Sequence, residues 1–185
     1  VVDKDVKLPE ERQTSAETLE ADTLAVLADL NHASQKGLQT IFDSSVGRST
    51  VNHPLGGRYQ ITPTEASVQK LPVQHGVTTT ASVMAQGFNP YVAEWSPYHG
   101  AAYAVIEATA RLVAAGANWS KARFSYQEYF ERMDKQAERF GQPVAALLGS
   151  IEAQIQLGLP SIGGKDSMSG TFEELTVPPT LVAFG

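Results

Sequence analysis

Apolar side chains recur every three or four residues in several stretches of the chain, and this spacing predicts amphipathic helices. The first helix follows a capping-box sequence at 14–17 and is expected to end at Gly37. The second begins at Ser96-Pro97, where serine is a good cap and proline suits the first helical position. It is expected to run to the glycine at Gly116. These two segments predict long helices with one apolar face.

The region after Glu131 predicts two further helices. A short polar helix is expected over 131–140, and an amphipathic one is expected to begin at Pro143 and to stop at Gly158. Gly-Phe-Asn-Pro at 87–90 is typical of a turn. Stretches rich in apolar and β-branched residues predict strands over 67–73, 77–85, 121–127, 159–162 and 181–185.

The order of these elements indicates the fold class. Strands and helices alternate without a series of parallel βαβ units, so the sequence predicts an α+β fold with helices on one face of a mixed sheet. The 185 residues suffice for one domain with a real core, which we place at 14–185 after a flexible lead-in at 1–13. The chain starts without methionine and stops within a predicted strand, so we expect a fragment of a larger polypeptide.

Composition excludes several classes of function. The formal net charge of -6 and the lack of a basic stripe argue against nucleic acid as a partner. The chain has no cysteine, which excludes disulfides, zinc-thiolate sites and a thiol nucleophile. No apolar run approaches the ~20 residues of a membrane span, and no signal peptide is visible. We therefore expect a cytoplasmic protein that binds neither nucleic acid nor membrane.

The most distinctive motif is Gly-Gly-Lys-Asp-Ser-Met-Ser-Gly at 163–170. Paired glycines allow backbone N–H groups to approach a ligand closely, and lysine and hydroxyl groups follow at once. The motif predicts either a phosphate-binding loop or a solvated turn. It is not a P-loop, because Leu159 stands where that motif needs glycine and Asp166 replaces its hydroxyl residue. Asp166 either binds a metal ion or caps the next turn.

A second candidate group lies on the predicted helix after Ser96. Glu107 and Arg111 are four residues apart, hence on one helical face, together with His99 and Tyr103. This face either lines a cleft in which Glu107 helps to hold Mg²⁺, or it is exposed and carries a Glu107–Arg111 ion pair. Arg48 follows Gly47 in a hydroxyl-rich stretch and either grips a phosphate or is solvated.

Several segments together resemble phosphoribosylformylglycinamidine synthase, a glutamine-dependent amidotransferase of purine biosynthesis. The resemblance extends from about residue 18 to residue 185 and is more specific than any one motif. It is carried by Phe-Asp-Ser-Ser-Val-Gly-Arg at 42–48, Thr-Thr-Ala-Ser-Val-Met at 79–84, Trp-Ser-Pro-Tyr-His-Gly at 95–100, Phe-Ser-Tyr-Gln-Glu-Tyr-Phe-Glu-Arg at 124–132, and residues 163–172.

The resemblance implies both a fold and a reaction. The family converts formylglycinamide ribonucleotide, ATP and glutamine to the amidine, ADP, phosphate and glutamate. Its synthetase core has two halves that resemble aminoimidazole ribonucleotide synthetase. This chain is similar to the N-terminal-type subdomain of the second half. Such subdomains pair edge to edge into a barrel, and the substrate site lies between the halves.

The resemblance also implies roles for single residues. Gly164 matches a glycine that contacts the nucleotide, and the neighbouring Gly163 is expected to bind the same phosphates. Ser167 matches a serine that binds the ribonucleotide substrate. Arg48 is a second candidate for binding that substrate. Lys165 stands where shorter members carry a magnesium-binding asparagine. Since a protonated lysine cannot bind Mg²⁺, Lys165 is expected to supply positive charge beside the phosphates of ATP.

Glu107 matches a carboxylate that binds Mg²⁺ at an auxiliary nucleotide site. Two companions there differ, because Arg111 replaces an asparagine and His75 an aspartate. The resemblance therefore implies that the auxiliary nucleotide is absent and that Arg111 fills its place through an internal ion pair.

The implied partners are the remaining synthetase half and the glutaminase domain of the parent chain, and the isolated fragment is expected to be inactive. An uncovered barrel edge also allows a homodimer of the fragment. A structural or assembly role with a non-productive site remains the alternative function.

Overall fold

A computed structural model describes residues 15–34, 36–41 and 49–185. The predicted lead-in, the start of the capping box and Arg48 lie outside these residues. The domain limits of 14–185 therefore stay a prediction.

In the part of the chain that the structure describes, nine strands form one mixed sheet and two small hairpins. The five-stranded sheet has the order β3-β4-β9-β5-β6, in which only β5 and β6 pair in parallel. β1 pairs with β2, and β7 pairs with β8. The strands are β1 (Leu55–Gly56), β2 (Thr62–Pro63), β3 (Ala66–Lys70), β4 (Ala81–Gly87), β5 (Phe124–Tyr129), β6 (Ser161–Ser167), β7 (Thr171–Phe172), β8 (Leu175–Thr176) and β9 (Thr180–Phe184).

Within the described residues, five α-helices and one short 3-10 helix (Trp119–Lys121) accompany the strands. Asn89 and Ser96 cap α3 and α4, since each side chain accepts hydrogen bonds from backbone N–H groups of the first turn. Gly158 ends α5 in the left-handed conformation, at φ 67°. The helices are α1 (Leu19–Ala28), α2 (Lys36–Ile41), α3 (Pro90–Trp95), α4 (Pro97–Ala114) and α5 (Ala137–Leu157).

Helices α4 and α5 cover one face of the sheet. The core between them contains Phe124 and Ala183 from the strands and Val105 and Ala108 from α4, all fully buried. The two helices touch at Gly149, where an added Cβ would lie 2.7 Å from the carbonyl carbon of Tyr98. The fold is therefore α+β with a mixed sheet and helices packed on it, as the sequence predicted.

The predicted helix that begins at Pro143 in fact begins six residues earlier. The separate polar helix over 131–140 does not form; residues 137–140 belong to α5 instead. Pro143 lies inside α5 because the lost N–H bond affects one turn only, while packing against α4 stabilises the remainder. The predicted stop at Gly158 is confirmed.

The structure corrects the start of the chain and the turn at 87–90. The first helix ends at Ala28, and Gly37 lies in the separate helix α2. Helix α1 contains no buried residue, so its apolar side chains are exposed. Residues 87–90 do turn, but Pro90 also starts the six-residue helix α3.

The predicted glycine loop is mostly strand. Gly163 to Ser167 belong to β6, because the parallel partner β5 supplies backbone hydrogen bonds that outweigh the low strand propensity of glycine. No helix among the described residues is long and apolar enough to span a bilayer.

Candidate functional site

The distinctive motif lies on β6, the outermost strand of the sheet and an exposed one. Among the strands that the structure describes, β6 pairs with β5 alone, so its other edge faces away from the sheet. Alternate residues of an edge strand direct N–H and C=O groups outward, where a ligand can bind them. Gly164 packs against Tyr126 of β5, where an added Cβ would lie 2.7 Å from the Tyr126 carbonyl oxygen. Glycine is therefore needed for the close β5–β6 pairing.

Strand alternation separates the motif into two faces. Lys165 pairs in register with Gln127 and Asp166 pairs with Glu128. In β5, Tyr126 and Glu128 are buried on the helix-covered face, whereas Gln127 belongs to the open face. Lys165 and Ser167 therefore share the open face, and Asp166 lies on the opposite one.

Lysine and hydroxyl groups make the open face of β6 suitable for an anion. Lys165 Nζ donates to the carbonyl oxygen of Asp166 at 2.8 Å, which holds the ammonium beside the strand. Ser167 Oγ and Ser169 Oγ lie 3.0 Å apart. These groups provide one positive charge and two hydroxyls within five residues, the chemistry that binds phosphate.

The turn after β6 is held by the end of β5. Gly170 N donates to Phe130 O and Phe130 N donates to Ser167 O, both at 2.9 Å. Arg132 N donates to Thr171 Oγ1 at 2.9 Å. An added Cβ at Gly170 would lie 2.9 Å from Phe130 O and would overlap the Val177 side chain. The backbone at Ser167 and Gly170 is thus held by residues outside the motif.

Two carboxylates face each other across β5 and β6. Glu128 is only 8% exposed, and Asp166 is its partner in register. Burial, and then the negative charge of Asp166, raises the pKa of Glu128 above its ordinary value. Burial and the charge of Glu128 likewise raise the pKa of Tyr126, whose buried hydroxyl has no hydrogen-bond partner among the described residues. The ionised Glu128 is therefore destabilising.

Glu128→Gln is expected to stabilise the protein at neutral pH, because glutamine removes the cost of burying an ionised carboxylate and then its repulsion by Asp166. We expect a gain of about 0.2–1 kcal/mol, the magnitude typical of cross-strand side-chain pairs. Because the folded pKa is raised, stability of the wild type falls as pH rises above the ordinary value of 4.5. Glutamine does not titrate, so this fall should disappear in denaturant melts between pH 4.5 and 7. The exposed Glu94→Gln should change neither stability nor pH dependence, and a destabilised Glu128→Gln would contradict the prediction.

The second candidate group lies at the opposite edge of the sheet, where α4 meets β4. Arg111 Nη2 lies 2.8 Å from Glu107 Oε1 and 2.6 Å from Glu65 Oε2. Arg111 Nη1 donates to Gln86 O at 2.7 Å, and Phe88 N donates to Glu107 Oε2 at 2.8 Å. The ion pair expected from the helical spacing is therefore present. Glu65, which the sequence analysis did not identify, is its third member.

This corner does not fit a Mg²⁺ ion. Both oxygens of Glu107 are engaged, and Mg²⁺ requires near-octahedral oxygen ligands at about 2.0–2.1 Å. A divalent ion about 4 Å from the guanidinium would meet a repulsion of about 8 kcal/mol at an effective dielectric of about 20. Among the described residues, no three histidine or carboxylate side chains cluster as metal ligands. Asp166 has no side-chain hydrogen bond within the same residues, so its metal role stays a prediction.

An open cleft of about 610 Å³ lies beside this corner on the open face of the sheet. Glu65 and Arg111 both line the cleft. Its floor comes from side chains of β3, β4 and β9, namely Ser67, Gln69, Met84, Gln86 and Phe184. Because neighbouring strands lie about 5 Å apart, β9 and β6 lie about 10 Å apart, with β5 between them. The cleft and the motif therefore lie on the same face of the sheet.

Thr171 and Glu128 are the residues of the β6 region that the sequence analysis did not identify. Thr171 follows the motif directly, so the sequence alone indicates that it lies near the site. The hydrogen bond that its hydroxyl accepts from Arg132 N depends on the fold and could not be predicted. Glu128 lies in a strand with alternating apolar residues, and its neighbour Asp166 becomes apparent only from the parallel register.

No protein-family model matches the chain, and no curated protein sequence matches it. Solved structures do match. T. maritima PurL complexed with ATP has a TM-score of 0.63 at 18% identity, over 82% of this chain and 23% of that one. T. maritima PurL complexed with FGAR has a TM-score of 0.59 at 21% identity, over 75% and 20%. Phosphoribosylformylglycinamidine synthase II of Thermotoga maritima has a TM-score of 0.59 at 18% identity, over 74% and 20%.

The chain thus spans about a fifth to a quarter of the length of these structures. At such low identity the similarity shows the fold and not the reaction. This chain shares its fold with part of T. maritima PurL.

Proposed function

We propose that the chain is part of an ATP-dependent phosphoribosylformylglycinamidine synthase. In this proposal it is the subdomain of the second synthetase half, and it contributes nucleotide- and substrate-binding residues to a composite site. The observation that carries the proposal is the exposed strand β6, which presents Lys165, Ser167 and the two glycines at an open edge. The shared fold with PurL structures that contain ATP and FGAR supports the same assignment.

Each residue of β6 has a task that its position allows. Gly163 and Gly164 leave the outer strand edge free of side chains, so backbone N–H groups can reach the phosphates of ATP. Lys165 adds a cation on the open face, where it offsets charge on the transferring phosphoryl group. Ser167, fixed by the Phe130 and Gly170 bonds, is the group that binds the phosphate of formylglycinamide ribonucleotide.

Asp166 is retained as a proposed magnesium ligand on sequence grounds alone, because it lies on the face of β6 opposite to Lys165 and Ser167. Carboxylate oxygens are the ligands that this ion prefers, and it would neutralise the charge of the nucleotide. Arg48 is retained as a proposed substrate ligand on sequence grounds alone. The remaining synthetase half and the glutaminase domain are the proposed partners, and a homodimer of the fragment is a further proposal.

Ser167→Ala tests the proposal in the full-length protein. Loss of one hydrogen bond to a charged phosphate costs about 1.5–3 kcal/mol, so the KM for formylglycinamide ribonucleotide is expected to rise about 10- to 100-fold. ADP release is measured with and without that substrate. The melting temperature should not change, since the hydroxyl contacts only Ser169 within the described residues.

Two outcomes would contradict the proposal in different ways. ADP release that ignores the substrate would exclude the reaction. Release that depends on the substrate but is unchanged in Ser167→Ala would favour the second candidate, a structural or assembly subdomain. The engaged carboxylate of Glu107 supports that candidate, because it removes one ligand-binding position from this chain.

A further inference from the structure

The Glu65–Arg111–Glu107 corner joins three parts of the chain that are distant in sequence. Glu65 directly precedes β3, Gln86 lies in β4, and Glu107 and Arg111 lie in α4. Arg111 bonds to all three of the others, and Phe88 N–H completes the set by donating to Glu107. The corner therefore connects the edge of the sheet to the helix that covers it.

Both terminal nitrogens of the guanidinium are engaged within the protein. Nη2 is shared between the two carboxylates, and Nη1 uses one of its two N–H groups to donate to a backbone carbonyl. The Arg111 side chain is only 26% exposed, although it lines the open cleft. It is therefore poorly placed to bind a phosphate group, and its charge is already balanced by Glu65 and Glu107.

We propose that Arg111 is a fixed internal cation that closes this corner, so that the corner binds neither a metal ion nor a nucleotide. The family that the chain resembles has a Mg²⁺–nucleotide at the equivalent corner in its large members, and this chain departs from that pattern. The arginine supplies from within the chain the positive charge that a metal ion would bring. The role of the corner is to hold β3 and β4 against α4 without any ligand. The inference is independent of the reaction proposed for β6, which lies at the other edge of the sheet.

The Glu107→Gln variant distinguishes between two interpretations of the corner, one without any ligand and one with a bound metal ion. Glutamine keeps the size of the side chain and can still accept the Phe88 N–H bond, but it loses the ionic contact with Arg111. We expect the melting temperature to fall by about 2–6 °C, and by the same amount in EDTA as in Mn²⁺. Mn²⁺ serves as the probe because free Mn²⁺ can be counted by electron paramagnetic resonance. Wild type and Glu107→Gln should bind equal numbers of Mn²⁺ ions, with and without ADP.

One Mn²⁺ ion that binds to the wild type and is lost in Glu107→Gln would overturn the inference. A melting temperature that falls only in the presence of Mn²⁺ would overturn it too. If Glu107→Gln does not fold, Glu65→Gln gives the same test, because Glu65 is 55% exposed and its ion pair within the described residues is with Arg111. Mn²⁺ binding that survives both changes but is lost in Asp166→Asn belongs to β6 and supports the inference.

Discussion

Lys165→Gln is expected to lower ATP-dependent turnover about 100- to 1000-fold in the full-length protein, the usual loss for one preorganised group that stabilises transferring charge. The ammonium group of Lys165 is held beside β6 by its hydrogen bond to the carbonyl oxygen of Asp166. Glutamine retains a donor of similar length but no charge. The fall should therefore appear mainly in kcat, since charge on the phosphoryl group develops in the transition state.

A matched control is available on the same sheet. Lys70 ends β3, at the opposite edge from β6, and is exposed like Lys165. Lys70→Gln makes the same change in net charge and should leave turnover within about twofold. ADP formation is measured at saturating formylglycinamide ribonucleotide and glutamine. Equal activity of the two variants would remove Lys165 from the proposed site.

Gly149→Ala is expected to destabilise the protein by about 3 kcal/mol, although alanine favours helices intrinsically. The new Cβ would lie 2.7 Å from the Tyr98 carbonyl carbon and 3.1 Å from its Cα, so α4 and α5 must separate. At this chain length the melting temperature should fall by about 6–12 °C. Separation of α4 and α5 would also disturb the buried Phe124 and Val105 beneath them.

Gly141→Ala is the control for this experiment, since Gly141 also lies in α5 and an added Cβ there meets no atom within 4 Å. It should stabilise the protein by about 1 kcal/mol through helix propensity alone. Thermal melts of the two single variants therefore shift in opposite directions. A tolerated Gly149→Ala would show that the helix contact is looser than the structure indicates.

Local signals predicted the elements that local chemistry determines. The cap at Ser96, the proline after it and the glycine at Gly158 gave correct helix ends, because caps act within one turn. The helix start predicted at Pro143 was wrong, because tertiary packing and not local chemistry determines where α5 begins. Pro143 is a strong local signal, but packing of α5 against α4 holds the turns on both sides of it.

The candidate site was only partly predictable. The motif itself is visible in the sequence, but its conversion from loop to strand depends on pairing with β5, some forty residues earlier. For the same reason the sequence did not indicate that Lys165 and Asp166 point to opposite faces. The Glu107–Arg111 pair was predictable from helical spacing, whereas Glu65 enters it through tertiary contact alone.

The order of strands in the sheet has a consequence for biosynthesis. β9 lies in the middle of the sheet, yet it follows every other strand in chain order. During translation β4 and β5 are synthesised before β9, the strand that pairs with both of them. The edges of β4 and β5 that face β9 in the folded sheet are therefore unpaired until β9 has been made. Pairings so distant in sequence form slowly, and nascent chains with open strand edges are prone to aggregate. We therefore expect this domain to acquire its sheet only after synthesis of residue 184, with chaperones shielding the earlier strands until then.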